Sequence, residues 1–170
     1  MEARPTPAAG TAPSTQLSVD AAMQIASWTW FGLLTLPFVL FIAVVWHQMS
    51  LEGTIPDENS AGTWFISSMA YMAVGVPAAF FLRSRLFKGY WSGQLVSPKN
   101  YLAGMILIWC ALELGGLLSL AGCLATGKLL PNLVPALLAF MLFTPLWPNG
   151  HAMTRRLQNE HDPADYEEPR

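Results

Sequence analysis

The sequence predicts an all-α membrane protein, a four-helix transmembrane bundle with both chain ends in the cytoplasm (N-in/C-in). The first observation is composition: 53% of the 170 residues are hydrophobic and only 12% are charged, whereas about 25% of residues are charged in typical soluble domains. The second observation is spacing, because four stretches almost without charge are each long enough to cross ~30 Å of hydrocarbon as a helix. The third is the placement of lysine and arginine.

The first two predicted helices lie in stretches that contain no Asp, Glu, Lys or Arg. Residues 21–51 are one such stretch, and the first helix is predicted at about 25–46. Residues 59–82 are the next, and the second helix is predicted at about 63–82. Each stretch supplies the roughly 20 apolar residues that a helical membrane crossing needs.

The third predicted helix differs from the others by one acid. It is predicted at about 101–124, where Glu113 is the only charged residue. The fourth helix is predicted at about 129–147, again in a stretch without charge. Prolines inside the first, second and fourth helices remove backbone hydrogen bonds, and we interpret them as kinks. These prolines are Pro37, Pro77, Pro135 and Pro145.

Lysine and arginine predict the orientation, because they concentrate on the cytoplasmic side of multi-pass membrane proteins. All but one of them lie at the chain ends or between the second and third helices: Arg4, Arg83, Arg85, Lys88, Lys99, Arg155, Arg156 and Arg170. The exception is Lys128. Both ends and the loop between helices two and three are therefore predicted to face the cytoplasm, in a multi-pass protein of the cell inner membrane.

The domain organisation follows from these helices. Residues 1–20 are rich in Pro, Ala and Thr and are predicted to be a disordered cytoplasmic segment. Residues 21–153 are predicted to form the four-helix transmembrane domain, and residues 154–170 a polar cytoplasmic tail.

The sequence contains no pattern typical of a catalytic, metal or cofactor site. His47 lies at the outer end of the first predicted helix, whereas His151 and His161 follow the cytoplasmic end of the fourth, so His47 cannot share one haem with either within a chain. Cys110 and Cys123 lie ~20 Å apart along one helix, too far for a disulfide, and are interpreted as packing residues.

We expect no enzymatic activity, no cofactor, no metal and no nucleic-acid partner. The expected partners are the lipid bilayer, other membrane subunits or further copies of the chain.

Glu113 is the residue of the third helix that needs an explanation. A charged residue at the centre of a membrane helix costs about 2.5–3.5 kcal/mol, and an apolar environment favours the uncharged form of an acid. Counting from the cytoplasmic helix ends places Glu113 at the depth of Tyr71 and Ser68 on the second helix and of residues 37–40 on the first. Tyr71 and Ser68 are therefore candidate ligands, with Glu113, for a proton or an ion.

Small residues occupy the opposite face of the third helix at the spacing that permits close contact between membrane helices. They are Gly104, Ala111, Gly115, Ser119 and Gly122. If this stripe contacts a neighbouring helix, Glu113 points away from that contact, toward lipid or another protein. Two roles for Glu113 remain open, a hydrogen-bonding group that pins the bundle and a group that loads and unloads a proton.

The segment 82–153 resembles the second helix of the c subunit of rotary ATP synthases and, more closely, uncharacterised four-helix bacterial membrane proteins distantly similar to that subunit. The resemblance is carried by Gly104, Trp109, the run "ALELGGLLSL" at 111–120 with Glu113, and Pro145. It implies a proton or sodium ion carried on Glu113. The loop "RSRLFKGYWSGQLVSPKN" is longer and more aromatic than in subunit c, so a position in an ATP synthase rotor is not expected.

The sequence thus predicts, first, a non-enzymatic structural or accessory membrane subunit held together by small-residue contacts and by hydrogen bonds of Glu113. The alternative is a proton- or ion-translocating element that resembles subunit c and uses Glu113 as its ion-binding group. The two differ in whether Glu113 has a water path and a charged counterpart, and the sequence shows neither.

Overall fold

The computed structural model describes residues 17–50 and 58–155, and this part of the chain contains α-helices and no β-strand, as the predicted all-α class requires. Its helices are α1 (Val19–Ser50), α2 (Glu58–Leu86), α3 (Lys88–Trp91), α4 (Pro98–Thr126), α5 (Leu133–Phe143) and α6 (His151–Thr154). Three of them, α1, α2 and α4, are long and apolar enough to cross a membrane. Most of the predicted amino-terminal segment and nearly all of the predicted tail lie outside the described residues.

The long helices extend beyond the predicted apolar cores because capping residues determine their ends. The Ser18 hydroxyl accepts a hydrogen bond from the Ala21 backbone N–H (3.2 Å) at the start of α1. The Ser97 hydroxyl accepts one from the Asn100 backbone N–H (3.4 Å) at the start of α4, where Pro98 fills the first helical position. Side-chain caps of this kind satisfy backbone N–H groups that a helix start leaves free.

Helix α4 is the centre of the bundle and packs against α1, α2 and α5. Its Ile108, Trp109 and Leu112 side chains are almost completely buried. By contrast, α1 is largely exposed along its length, and its buried residues are Ala22, Ala26, Trp30 and Val44. A helix that exposes so much apolar surface is suited to lipid or to contact with another protein.

The fourth predicted helix is shorter in the structure than the sequence pattern indicated. Helix α5 has 11 residues, about 16 Å at 1.5 Å per residue, which is less than the hydrocarbon thickness. Pro135 lies in its first turn, where a missing N–H costs little, whereas Pro145 follows its end instead of lying inside it. Pro145 and Pro148 prevent the helix from continuing, because proline has no backbone N–H to donate and its ring clashes with the carbonyl four residues earlier.

The segment around α5 nevertheless runs along the length of α4. The Asn132 Nδ2 group donates to the Gly122 carbonyl (3.4 Å), near the end of α4. At the other end, the Gly150 N–H donates to the Tyr101 hydroxyl (3.1 Å), near the start of α4. Between these two contacts the chain passes alongside residues 101–122, about 30 Å of helix.

Residues 144–150 cover the second part of this distance without regular helix. Their backbone groups are partly satisfied by side chains and backbone groups of neighbouring segments. The Trp109 indole N–H donates to the Leu146 carbonyl (3.1 Å), and just beyond the segment the Val96 N–H donates to the Ala152 carbonyl (2.9 Å). The irregular segment is therefore anchored against the first half of α4.

Candidate functional site

A cavity of about 180 Å³ lies between α1, α4 and α5, and Glu113 is part of its wall. Helix α4 contributes Glu113 together with Leu112, Gly116 and Leu120, which follow helical spacing on one face. The remaining wall is apolar and includes four phenylalanine rings, those of Phe38, Phe41, Phe140 and Phe143. Glu113 is the one ionisable residue among those that line the cavity.

The cavity is partly open to the outer surface of the bundle. Phe38 of α1 is 48% exposed and Leu137 of α5 is 44% exposed, and both line the cavity. The rings of Phe38 and Phe140 have centroids 6.0 Å apart. The opening therefore lies between α1 and α5, on a surface of the bundle that is apolar.

One oxygen of the Glu113 carboxyl group, Oε1, is buried without a hydrogen-bond partner among the described residues. No lysine, arginine or histidine lines the cavity. A buried ionised group without a partner is costly, so the cavity favours either the protonated acid or a carboxylate paired with a cation that enters from outside.

Pro37 adds a second polar atom near this cavity. Proline has no backbone N–H, so the carbonyl group of Leu33, four residues earlier in α1, lacks its helical hydrogen bond. Pro37 and the neighbouring Leu34 both line the cavity. The polar atoms that this region offers, a carboxyl and a freed carbonyl, are acceptors for a proton or a cation.

The structure places Tyr71 on the other side of α4 and buries Ser68. A Cβ atom added at Gly115 would lie 3.4 Å from the Tyr71 ring, so this ring packs against the face opposite to Glu113. Ser68 is 1% exposed, and its hydroxyl makes no hydrogen bond with a described residue. Depth along a helix, on which these two residues were selected, carries no information about the side of the helix.

Three glycines of the small-residue stripe on α4 lie at very short range from α2 and from Phe87, which follows it. A Cβ atom added at Gly104 would lie 2.8 Å from the Phe87 ring, and one at Gly115 would lie 2.5 Å from the Met72 sulfur. One added at Gly122 would lie 3.0 Å from Trp64 Cβ. The remaining members of the stripe are Ala111, which is partly exposed, and Ser119, which is fully buried. These glycines allow close approach of α2 and α4.

A buried polar cluster at the end of α4 was missed by the sequence analysis. The Ser119 hydroxyl donates to the Asn132 carbonyl and accepts from the Ala136 N–H (3.1 Å). The Asn132 side chain donates to the Thr126 hydroxyl (3.1 Å) and to the Gly122 carbonyl. The one available signal was Asn132 itself, an amide between apolar residues just before a helix start.

This cluster pins α4 to the segment that starts α5, whereas a pinning role for Glu113 stays a prediction. It satisfies backbone groups at the end of α4 and at the start of α5, and all its atoms come from residues that are 2% exposed or less or from backbone. From α1, the Gln48 amide donates to the Cys123 carbonyl (2.9 Å) at the same level. Three segments of the bundle are thus joined by hydrogen bonds that do not involve Glu113.

Among the described residues, no group of three or more His, Cys, Asp or Glu side chains is arranged to hold a metal ion. Both cysteines are free thiols, Cys110 exposed and Cys123 buried. No family model, curated protein or solved structure matches the chain. The resemblance to ATP synthase subunit c therefore stays a prediction.

Proposed function

We propose that the protein is an inner-membrane protein that crosses the bilayer four times, with both ends and the loop between α2 and α4 in the cytoplasm. Two observations support this topology: α1, α2 and α4 are each long enough to span, and the chain from Asn132 to Gly150 runs along nearly the same length of α4. The excess of Lys and Arg at residues 83–99 supports the orientation.

Cysteine labelling tests this topology in a chain whose Cys110 and Cys123 are replaced by alanine. With a membrane-impermeant maleimide, Ser92→Cys should react only from the cytoplasmic side and Lys128→Cys only from the opposite side. Reaction of both positions from the same side would contradict the four crossings.

Within this bundle we propose that Glu113 is a proton-exchanging group, the second of the two roles left open by the sequence. The observation that carries the proposal is that Glu113 lines a cavity partly open to the surface, while its buried Oε1 atom has no hydrogen-bond partner among the described residues. A structural acid would be expected to use its hydrogen-bonding capacity inside the bundle. Here the Ser119 and Asn132 cluster supplies those bonds, and the Glu113 carboxyl remains available.

The test is modification by dicyclohexylcarbodiimide, an apolar reagent that attacks protonated carboxyl groups and can reach the cavity from the lipid phase. We expect Glu113 to be the modified residue, with a rate that falls as the pH rises and the carboxyl ionises. Glu113→Gln should abolish modification while leaving the folded protein unchanged in size-exclusion chromatography. A rate of modification independent of pH from 5 to 9, or no modification at all, would contradict proton exchange at Glu113.

The accessory-subunit function remains a second candidate, because α1 exposes large apolar side chains along most of its length. A partner subunit bound there would give an assembly larger than one chain in a mild-detergent extract. Val39→Asn, at an exposed position of α1, should then dissociate the assembly, whereas Val74→Asn, at an exposed position of α2, should not. An extract that contains only the single chain would exclude a stable accessory role.

A further inference from the structure

We propose that the cavity between α1, α4 and α5 is a binding site for a small lipophilic ammonium cation, which pairs with Glu113 in place of its proton. This inference rests on the proposed proton exchange at Glu113 and adds the class of ligand. In the exchange, the protonated carboxyl releases its proton to water, and the carboxylate then neutralises the bound cation. One cation is bound for each proton released.

Charge complementarity identifies the ligand as a cation. The cavity holds one carboxyl group and no basic residue, so an ionised Glu113 can be neutralised only by a charge that the ligand brings. A neutral apolar molecule would leave the acid protonated and its Oε1 atom without a partner. An anion would add a second negative charge to an apolar space, which is strongly unfavourable.

The aromatic wall favours the same ligand. Four phenylalanine rings line the cavity, two from α1 and two from α5. The face of an aromatic ring attracts a cation, and this attraction is strongest where water is excluded. Quaternary ammonium groups are bound in this way by other aromatic sites. A hydrated metal ion would gain little here, because metal ions such as Mg²⁺ and Ca²⁺ need several oxygen ligands.

Size and access restrict the ligand further. An apolar protein cavity of ~150 Å³ binds benzene, so a cavity of about 180 Å³ accommodates one aromatic ring or a comparable alkyl group. The charged nitrogen then lies beside Glu113. Because the opening lies between α1 and α5 on the apolar surface, the ligand enters from the bilayer and must partition into lipid.

Few titratable groups lie near Glu113, so the pH dependence of cation binding can be assigned to this residue. The lining residues of α1 and α5 include none, and α4 contributes only Glu113. The nearest titratable residues by sequence and packing are Cys110, one turn earlier on α4, and Tyr71 of α2, which packs against Gly115 on the opposite face. A change in cation binding between pH 5 and 8 therefore reports on Glu113.

The experiment compares two probes of equal shape with the full chain in phosphatidylcholine nanodiscs. The cation is benzyltrimethylammonium, and its neutral counterpart is neopentylbenzene, in which carbon replaces the charged nitrogen. Fluorine NMR of ring-fluorinated forms of both measures binding. We expect the cation to bind at least about tenfold more tightly than the neutral probe at pH 8, and its affinity to fall by about tenfold per pH unit where Glu113 is protonated.

Two substitutions test separately how the charge of Glu113 and the aromatic wall of the cavity contribute to binding. Glu113→Gln should remove the preference for the cation and its pH dependence, while the neutral probe binds as before. Phe38→Leu should weaken the cation several-fold more than the neutral probe, and Phe80→Leu, on α2 away from the cavity, serves as the matched control. These outcomes require that the variants remain folded, which binding of the neutral probe itself reports.

The inference is overturned if both probes bind equally to the unmodified chain, or if cation binding is unchanged in Glu113→Gln. Equal binding of both probes together with pH-dependent carbodiimide modification would leave proton exchange intact and show that the occupant is an acyl chain or another neutral molecule. Absence of both cation binding and modification would refute the inference and the proposed function together.

Discussion

The two faces of α4 are packed in opposite ways. On the side of α2, Cβ atoms added at Gly104, Gly115 and Gly122 would approach neighbouring atoms to 2.5–3.0 Å. On the side of α5, a Cβ atom added at Gly116 would lie 3.7 Å from Ala139, an ordinary contact, and a cavity of about 180 Å³ adjoins it. Adjacent glycines thus belong to a tightly packed contact and to a loosely packed one.

The tightly packed face of α4 supports the bundle, and the loosely packed face carries the group proposed to function. The α2–α4 contact is close at the glycine positions of α4. The opposite face has both space and an acid without a partner. Substitutions on the first face should therefore change stability, and substitutions on the second should change proton exchange and binding.

The largest expected effect comes from Gly115→Leu. Its side chain would meet Met72 and the Tyr71 ring and force α2 and α4 apart, so we expect the free energy of unfolding to fall by about 1–3 kcal/mol, as in other overpacked cores. Gly116→Leu is the matched control, because its side chain can enter the cavity. Chemical unfolding in detergent measures both.

Equal loss of stability in the two variants would contradict the difference in packing between the two faces of α4. A loss of stability confined to Gly116→Leu would show that the face toward α5 is the more tightly packed one. Gly32→Leu, at an exposed position of α1 where an added Cβ has no neighbour within 4 Å, gives the baseline for a leucine placed on a helix surface.

The long helices and the small-residue stripe of α4 were predictable because both depend on local patterns. Hydrophobic length is read from the gaps between charges, and helical phase places Gly104, Gly115 and Gly122 on one face. The predicted bounds of these helices were less accurate, because the caps Ser18 and Ser97 start α1 and α4 before the apolar stretch of each helix begins.

The cavity and the polar cluster were not predictable from the same patterns. A cavity forms where side chains from three segments fail to meet, and no periodicity in one segment reports this. The depth of Glu113 matched both Tyr71 on α2 and residues 37–40 on α1, and only the structure shows that Pro37 and Phe38 adjoin the acid's cavity. The irregular chain after Phe143 was not predicted, because the stretch without charged residues continues past it.

An intermediate effect is expected from Ser119→Ala, which removes the hydroxyl that joins α4 to α5. The Asn132 carbonyl loses a donor and the Ala136 N–H loses an acceptor. We expect a loss of about 1–2 kcal/mol in the free energy of unfolding, the size of a hydrogen bond between membrane helices in model peptides. Ser84→Ala is the control, because that exposed hydroxyl bonds only within its own helix. A loss no greater than that of the control would show that the cluster does not stabilise the bundle.

The smallest change in stability is expected at the residue proposed to matter most for function. Leucine at position 113 removes a carboxyl group whose Oε1 atom has no partner among the described residues and replaces it with an apolar group of similar size. Removal of an unpaired polar group in this way is nearly neutral or slightly stabilising. We therefore expect Glu113→Leu and Glu113→Gln to unfold within about 0.5 kcal/mol of the unmodified chain, the range typical of substitutions that break no interaction. If Glu113 instead pins the bundle, Glu113→Leu should lose as much stability as Ser119→Ala while Glu113→Gln retains it, because glutamine keeps a donor and an acceptor. That result would show that Glu113 stabilises the bundle and that both faces of α4 contribute to its stability.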